Sequence, residues 1–235
     1  MEVIIQKDSP SAALLTARLI AKELRAKPSL VLGLATGRTM ESVYRELIRL
    51  HKEEGVDFSL CRTFNLDEYV GLAPDHKGSY RRFMDTHLFD SINIDKRNTH
   101  VPNGLARDLA LECRNYERKI EECGGIDLQL LGIGVAGHIG FNEPLSALRS
   151  RTREKALSPA TIAQNSPLFD APGQMPKRGI TMGVGTILES RYWLMLATGV
   201  EKSFIVAKAV EGPITAMVSA SALQLHACCR IIVDE

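Results

Sequence analysis

The sequence predicts an α/β protein with a mainly parallel central sheet and helices on both faces. Short apolar runs without alternation are typical of strands that are buried on both sides, and helical patterns alternate with these runs along the chain. The length of 235 residues is sufficient for one large domain with a sizeable core. Because no low-complexity linker or internal repeat interrupts the pattern, a single domain is predicted over residues 1–235.

The first half of the chain supplies two strands and three helices. Ser11 to Arg25 carries apolar residues at helical spacing and is predicted to be a helix. Ser29 to Leu34 is a continuous apolar run, as expected of a buried strand, and a helix over Met40 to Lys52 follows it. Arg62 to Leu66 is predicted as a short strand and Ser79 to Phe89 as a helix.

The middle of the chain repeats the alternation. Arg107 to Glu122 is amphipathic and is predicted to form a helix that ends at Gly124-Gly125. Ile126 to Ile133 is the third core strand. Arg178 to Met182 is a further candidate strand, and a short helix is predicted near Gly185 to Ser190.

The last elements are a strand over Tyr192 to Thr198, a helix over Glu201 to Val210 and a final strand over Arg230 to Val233. In sheets of this class, ligands bind beyond the carboxyl ends of the strands. The loops at residues 35–39, 65–72, 134–144 and 198–202 are therefore the candidate sites.

Composition excludes several classes of function. The net charge of +1 gives no electrostatic basis for binding nucleic acid or an anionic membrane. No apolar run approaches the ~18–20 residues that span a bilayer, and Met1 to Pro10 lacks the pattern of a signal peptide. Five scattered cysteines indicate reduced thiols and a cytoplasmic protein. No CxxC or HExxH spacing is present, so no metal site is predicted.

Two of the candidate loops suit a phosphate. Thr36-Gly37-Arg38-Thr39 stands between a strand and a helix, where free N–H groups and the positive end of the helix dipole bind anions. The alternative, that Thr39 is only the helix N-cap, is equally compatible with the sequence. Lys202 follows the Tyr192–Thr198 strand and could reach the same anion, although a solvated lysine is the simpler interpretation of this residue alone.

The other two loops carry groups that can move protons. Asp67 and Glu68 follow a strand directly, and adjacent side chains diverge, so at most one of them is expected to face a pocket. Taken alone, this pair is more typical of a helix cap or a surface acid. His138 lies in a glycine-rich loop with Glu143 five residues further on, which favours a general acid/base over a structural histidine.

Several separate motifs resemble one family. The stretches LGLATGRT, TFNLDEYVGL, SYRRFM, LGIGxxGHIGFNEP, TMGVGTIL and SALQLH resemble the glucosamine-6-phosphate deaminases, in matching order from about Val31 onward. The resemblance implies a Rossmann-like fold, a phosphorylated amino sugar as substrate, and no metal or redox cofactor. It further implies the conversion of glucosamine 6-phosphate and water to fructose 6-phosphate and ammonia.

The resemblance also assigns roles to individual residues. Asp67 is implied to shuttle a proton between C2 and C1 of the open-chain sugar. His138 is implied to open the pyranose ring with support from Glu143. The phosphate-binding residues are implied to be Thr36, Gly37, Arg38, Thr39 and Lys202.

Two positions depart from the family pattern. Ala136 stands where the family usually has Asp or Asn, and its methyl group cannot hold the ring of His138. Pro167 stands where the family usually has an arginine that grips the phosphate. Loss of such a charged partner costs on the order of 1.5–3 kcal/mol, or roughly ten- to hundredfold in affinity. Arg38, where relatives often carry glycine, is a candidate replacement.

The long members of the family bind an effector, N-acetylglucosamine 6-phosphate, between subunits. Ser146, Arg153 and Lys155 match the effector residues and Ala156 does not, so a residual allosteric site and a solvated basic face are equally compatible with the sequence. A homo-oligomer is also compatible with it. Besides an active deaminase, two functions stay open: a catalytically impaired sugar-phosphate-binding or regulatory protein, and a 6-phosphogluconolactonase-like hydrolase.

Overall fold

The computed structural model describes residues 1–169 and 172–235 of the chain. The helices are α1 (Ser9–Ala26), α2 (Arg38–Glu54), α3 (Tyr80–His87), α4 (Leu109–Glu122), α5 (Pro159–Asn165), α6 (Val184–Leu188) and α7 (Ser203–Val210). The strands are β1 (Glu2–Gln6), β2 (Val31–Leu34), β3 (Arg62–Asn65), β4 (Asp67–Tyr69), β5 (Thr99–His100), β6 (Leu128–Leu131), β7 (Arg153–Ala156), β8 (Arg178–Thr181), β9 (Tyr192–Ala197) and β10 (Cys229–Asp234).

Seven of the described strands form one parallel sheet in the order β1-β10-β9-β6-β2-β3-β5. The helices lie around this sheet, which confirms the predicted α/β class. The chain runs outward from β2 through β3 to β5 and then crosses back to β6 on the other side of β2. The strand order therefore reverses between β2 and β6, which is where sheets of this kind open a crevice for ligands.

The central strands are buried along their whole length, as their largely apolar sequences predict. All four residues of β2 and all four of β6 are inaccessible to solvent or nearly so. Full burial of a leucine such as Leu32 contributes about 1.5–3 kcal/mol, so these strands anchor the core. Helix α1 packs against α2 and against β10. It begins where the Asp8 carboxylate accepts a hydrogen bond from the backbone N–H of Ser11.

A second, antiparallel sheet lies beside the parallel one, with the strand order β4-β8-β7. The strand predicted over Arg178 to Met182 exists as β8, but it belongs to this small sheet and not to the mainly parallel one. A separate apolar cluster packs here, and its largest members are Tyr69, Phe141 and Phe169. Strand β4 continues almost directly from β3, so this sheet is attached at the carboxyl end of a central strand.

The sequence patterns did not predict five of the elements: β1, β4, β5, β7 and α5. In the described part of the chain, no helix is both long and apolar enough to cross a membrane.

Candidate active site

The four candidate loops follow the neighbouring strands β9, β6, β2 and β3. They surround a cleft of about 410 Å³ at the point where the strand order reverses. Its lining includes Asp67, His138, Lys202 and the turn of residues 36–39. The structure therefore brings together the candidate proton-transfer groups and the candidate phosphate-binding groups that the sequence placed far apart.

The turn of residues 36–39 leads directly into α2. This helix begins at Arg38 and follows Gly37, whose φ of 108° is a conformation that favours glycine. Thr39 lies inside the helix, and no side chain caps the helix start, so the interpretation of Thr39 as the N-cap is wrong. The first N–H groups of α2 and the positive end of its dipole are thus available at the cleft for an anion.

Two cationic side chains, Arg38 and Lys202, are part of the cleft lining. Arg38 is exposed at the rim. Lys202 is half-buried, and its Nζ donates a hydrogen bond to the carbonyl oxygen of Ile133 at 2.9 Å. Burial lowers the pKa of Lys202, while the neighbouring Glu201 carboxylate opposes this shift. The two cations and the start of α2 make this side of the cleft attractive to a phosphate group.

Asp67 is the acid that faces the cleft. It is only 5% exposed. The pKa of its carboxyl is raised to about 8, mainly by burial and further by the Glu68 charge, while a hydrogen bond from the Phe141 backbone N–H opposes both. A buried carboxyl with a pKa near neutrality is suited to taking up and releasing a proton during a reaction.

Glu68 caps a helix, which the sequence analysis gave as the alternative role for this pair of acids. Its carboxylate accepts hydrogen bonds from the backbone N–H groups of Tyr80 and Arg81, both at 3.0 Å, and from the Ser79 hydroxyl at 2.7 Å. It therefore caps the start of α3. The expectation that one acid of the pair at most would face the pocket is confirmed.

His138 is packed closely over the backbone of Gly134. A Cβ atom on residue 134 would lie 2.1 Å from Nε2 of His138, so only glycine fits beneath the ring. Burial lowers the pKa of His138, the Glu143 carboxylate partly opposes the shift, and the Lys202 charge adds to it. The imidazole is therefore neutral near pH 7 and can accept a proton.

The other ring nitrogen of His138 faces Glu143. Nδ1 lies 3.6 Å from Oε2 of Glu143, and these side chains are 12% and 7% exposed. Neither atom has a hydrogen-bond partner among the described residues. Ala136, at the tip of the same loop, contributes no polar side-chain atom, so Glu143 is the group available to orient the ring.

Helix α5 contributes cleft residues that the sequence patterns did not indicate. Thr161, Gln164 and Asn165 line the cleft, as does Tyr80 of α3. The Asn165 amide donates a hydrogen bond to the Tyr69 hydroxyl at 3.0 Å, which ties α5 to the small sheet. Ser158-Pro159 is a helix-start signal, but a helix of seven residues is too short to show a clear apolar period. Tyr80 belongs to the SYRRFM stretch, for which the sequence indicated no functional role.

Pro167 is exposed, in a short turn after α5, and its ring provides no cation.

The candidate effector residues lie outside the cleft lining. The Ser146 hydroxyl is buried without a partner in the described structure, and Arg153 donates to Oδ1 of Asn142 at 3.0 Å. Lys155 is on β7 with Arg153. Within residues 1–169 and 172–235, no three His, Cys, Asp or Glu side chains are grouped to hold a metal ion.

Known proteins resemble this chain over its whole length. The sequence model of the family described as glucosamine-6-phosphate isomerases/6-phosphogluconolactonase matches residues 7–228. A glucosamine-6-phosphate deaminase of Shewanella loihica is 50% identical over 235 residues, which is 100% of this chain and 88% of that protein. A solved structure of a monomeric glucosamine-6-phosphate deaminase is 42% identical, with a TM-score of 0.98, and the match covers 100% of this chain and 98% of that one. A 6-phosphogluconolactonase from Trypanosoma cruzi has a TM-score of 0.76 at 20% identity, covering 99% and 94%, and so shares the fold alone.

Proposed function

We propose that this chain, which belongs to the family of glucosamine-6-phosphate isomerases and 6-phosphogluconolactonases, is a glucosamine-6-phosphate deaminase. The observation that carries the proposal is a single cleft that holds a buried carboxyl, a neutral histidine and a cationic turn. The reaction converts glucosamine 6-phosphate and water to fructose 6-phosphate and ammonia. The whole chain acts as one domain in this proposal.

Ring opening is the task of His138 in the proposed mechanism. Its neutral imidazole accepts the proton of the O1 hydroxyl and returns a proton to the ring oxygen O5 as the C1–O5 bond breaks. Glu143 stabilises the imidazolium that forms between these transfers, since its Oε2 lies opposite Nδ1. The lowered pKa of His138 supports this role, because a histidine that was already protonated could not accept the first proton.

Proton transfer along the open chain is the task of Asp67. Its carboxylate removes the proton from C2 and delivers it to C1, while O1 takes up a proton and the C2 amino group gives one up. The aldehyde carbon is thereby reduced to an alcohol carbon, and the C2 amine becomes an imine. Water then adds to C2, ammonia leaves, and a ketone forms. The raised pKa of Asp67 makes it a strong enough base for a carbon-bound proton.

The 6-phosphate is held by the turn of residues 36–39 and by Lys202. The backbone N–H groups at the start of α2 donate hydrogen bonds to the phosphate oxygens. Pro167 supplies no charge. The cleft lining instead has Arg38, at the first position of α2, as a second cation beside Lys202. A guanidinium binds two phosphate oxygens at once, so this residue suits the task.

The two other functions that the sequence left open are less well supported. The deaminase relatives match the entire chain at 44–50% identity. The lactonase match rests on fold alone, and hydrolysis of a lactone needs no carboxylate in the position of Asp67.

Turnover of a panel of sugar phosphates tests the proposal. Glucosamine 6-phosphate, galactosamine 6-phosphate and 6-phosphogluconolactone would be supplied at millimolar concentration, and ammonia and acid release would be followed. We expect ammonia from glucosamine 6-phosphate and no hydrolysis of the lactone above background. Lactone hydrolysis without ammonia release would contradict the proposal.

Two secondary features have their own tests. Light scattering decides between the monomeric state of the solved relative and a homo-oligomer. Titration with N-acetylglucosamine 6-phosphate tests an effector site at Ser146, Arg153 and Lys155. Activation that is lost in Arg153→Ala would support that site.

A further inference from the structure

The two carboxylate oxygens of Glu143 have different surroundings. Oε1 accepts hydrogen bonds from the Ser158 backbone N–H at 3.1 Å and from the Thr161 hydroxyl at 2.5 Å. Oε2 is buried without a hydrogen-bond partner in the described structure and lies 3.6 Å from Nδ1 of His138. One oxygen is therefore fixed, and the other is directed at the histidine.

The start of α5 holds Glu143 as part of its own cap. Ser158 is the N-cap of this helix and Thr161 is its third residue. In a capping box, a Glu or Gln at that third position accepts a hydrogen bond from the N-cap N–H group. Here the third residue is Thr, and Glu143 supplies the carboxylate from another segment. The Thr161 N–H completes the box by donating to the Ser158 hydroxyl at 3.2 Å.

This arrangement matters because His138 has no other partner on its Nδ1 side. Nδ1 is unpartnered among the described residues, and the side chain of Ala136 offers no polar atom. The 3.6 Å between Nδ1 and Oε2 of Glu143 is only slightly longer than the ~2.7–3.2 Å of a hydrogen bond. A hydrogen bond between them requires the two atoms to approach by about 0.4–0.9 Å.

We propose that Thr161 is a positioning residue for the ring-opening step. Its hydroxyl donates to Oε1 of Glu143 and so aims Oε2 at Nδ1 of His138. Thr161 takes over the orienting task for which Ala136 lacks a group. The inference rests on the proposed function, because it assigns ring opening to His138 and Glu143.

The test compares three variants. Thr161→Val keeps the shape and removes the hydroxyl, and Thr161→Ser keeps the hydroxyl. Thr186→Val is the matched control, since the Thr186 hydroxyl also donates to a glutamate, the half-buried Glu117, at 2.6 Å, and both threonines are 3% exposed. Glu117 binds Arg151 and lies outside the cleft lining. Should Thr161→Val fail to fold, Thr161→Ala removes the same hydroxyl.

Ammonia release gives the first readout. One hydrogen bond to a charged group corresponds to roughly ten- to hundredfold in rate. We expect Thr161→Val to lower kcat by at least about tenfold with little change in KM. Thr161→Ser and Thr186→Val should stay close to the unmodified enzyme. Equal kcat values for Thr161→Val and Thr186→Val would overturn the inference.

Ring opening is measured separately in an Asp67→Asn background, where proton transfer from C2 is blocked. Exchange NMR follows enzyme-catalysed interconversion of the α and β anomers of glucosamine 6-phosphate. Adding Thr161→Val should slow this exchange by at least about tenfold, while adding Thr161→Ser should not. Unchanged exchange would refute the role of Thr161. Failure of the unmodified enzyme to release ammonia would instead contradict the proposed function.

Discussion

Replacing Asp67 with Asn should change how the free energy of unfolding depends on pH. Burial, with an added contribution from the Glu68 charge, raises the pKa of the Asp67 carboxyl from 3.8 to about 8 on folding. Between these values the folded protein binds a proton that the unfolded chain has lost. This contribution to stability is fully present below pH 3.8 and disappears as the pH rises through about 8.

The magnitude follows from proton linkage. Each pH unit inside that window lowers the free energy of unfolding by about 1.4 kcal/mol for a single bound proton. Between about pH 5 and about pH 7, Asp67 alone therefore lowers it by roughly 2–3 kcal/mol. Asn does not titrate, so the Asp67→Asn variant lacks this loss and should become more stable relative to the parent as the pH rises.

Urea unfolding at these two pH values, followed by circular dichroism, measures the effect. The quantity compared is the change in unfolding free energy from low to high pH, parent against Asp67→Asn, because other titrating groups cancel in that difference. Glu68→Gln serves as a second variant. It removes the like charge beside Asp67, so it should lower the pKa of Asp67 and narrow the pH range over which stability is lost. Parallel pH dependences for the parent and Asp67→Asn would refute the reasoning that this carboxyl is protonated in the folded enzyme.

Four further predictions concern activity. Arg38→Ala should raise KM for the phosphorylated substrate roughly ten- to hundredfold with little change in kcat; an unchanged KM would exclude Arg38 from phosphate binding. Ala136→Asp should speed anomer exchange about tenfold by giving His138 a partner, and a rate no faster than the parent would contradict this. Gly134→Ala should abolish turnover in a folded protein, because a Cβ there would lie 2.1 Å from the His138 ring; a normal rate would contradict the packing. The pH–rate profile of kcat/KM should rise toward about pH 8, as ionisation of Asp67 requires, and a flat profile below that value would oppose its role as the base.

The order of elements could be predicted from the sequence because the central strands are buried on both faces. Their apolar runs, continuous in Val31–Leu34 and broken only by Gln129 in Leu128–Leu131, stand out from the helical patterns between them. The carboxyl ends of parallel strands meet at one edge of a sheet, so the four candidate loops could be placed together from the sequence alone. The convergence of Asp67, His138 and Lys202 follows from that placement.

The small antiparallel sheet could not be predicted from the sequence in the same way. Strand β4 has three residues, and β7 reads Arg-Glu-Lys-Ala with half-buried or exposed side chains, so neither shows an apolar period. The strand over Arg178–Thr181 was recognisable as a strand, but its two partners, β4 and β7, lie more than 20 positions away in the chain. Local pattern carries no information about which sheet such a strand joins.

The supporting residues of the site escaped prediction for a related reason. The division of labour between Asp67 and Glu68 depends on where α3 begins in space, because Glu68 caps that helix. Thr161 contacts Glu143 across a separation of 18 positions in the chain. Hydrogen bonds of this kind depend on tertiary packing, which the spacing of residues does not encode.

The most direct test of the central claim is the product balance of glucosamine 6-phosphate turnover by the parent chain and by Asp67→Asn. Ammonia and fructose 6-phosphate would be quantified from the same reaction, with the folding of both proteins verified by circular dichroism. We predict equal amounts of the two products from the parent and a loss of roughly a hundred- to ten-thousandfold in Asp67→Asn, the range for removal of a general base. Absence of both products from the folded parent chain, or undiminished turnover by Asp67→Asn, would contradict the account.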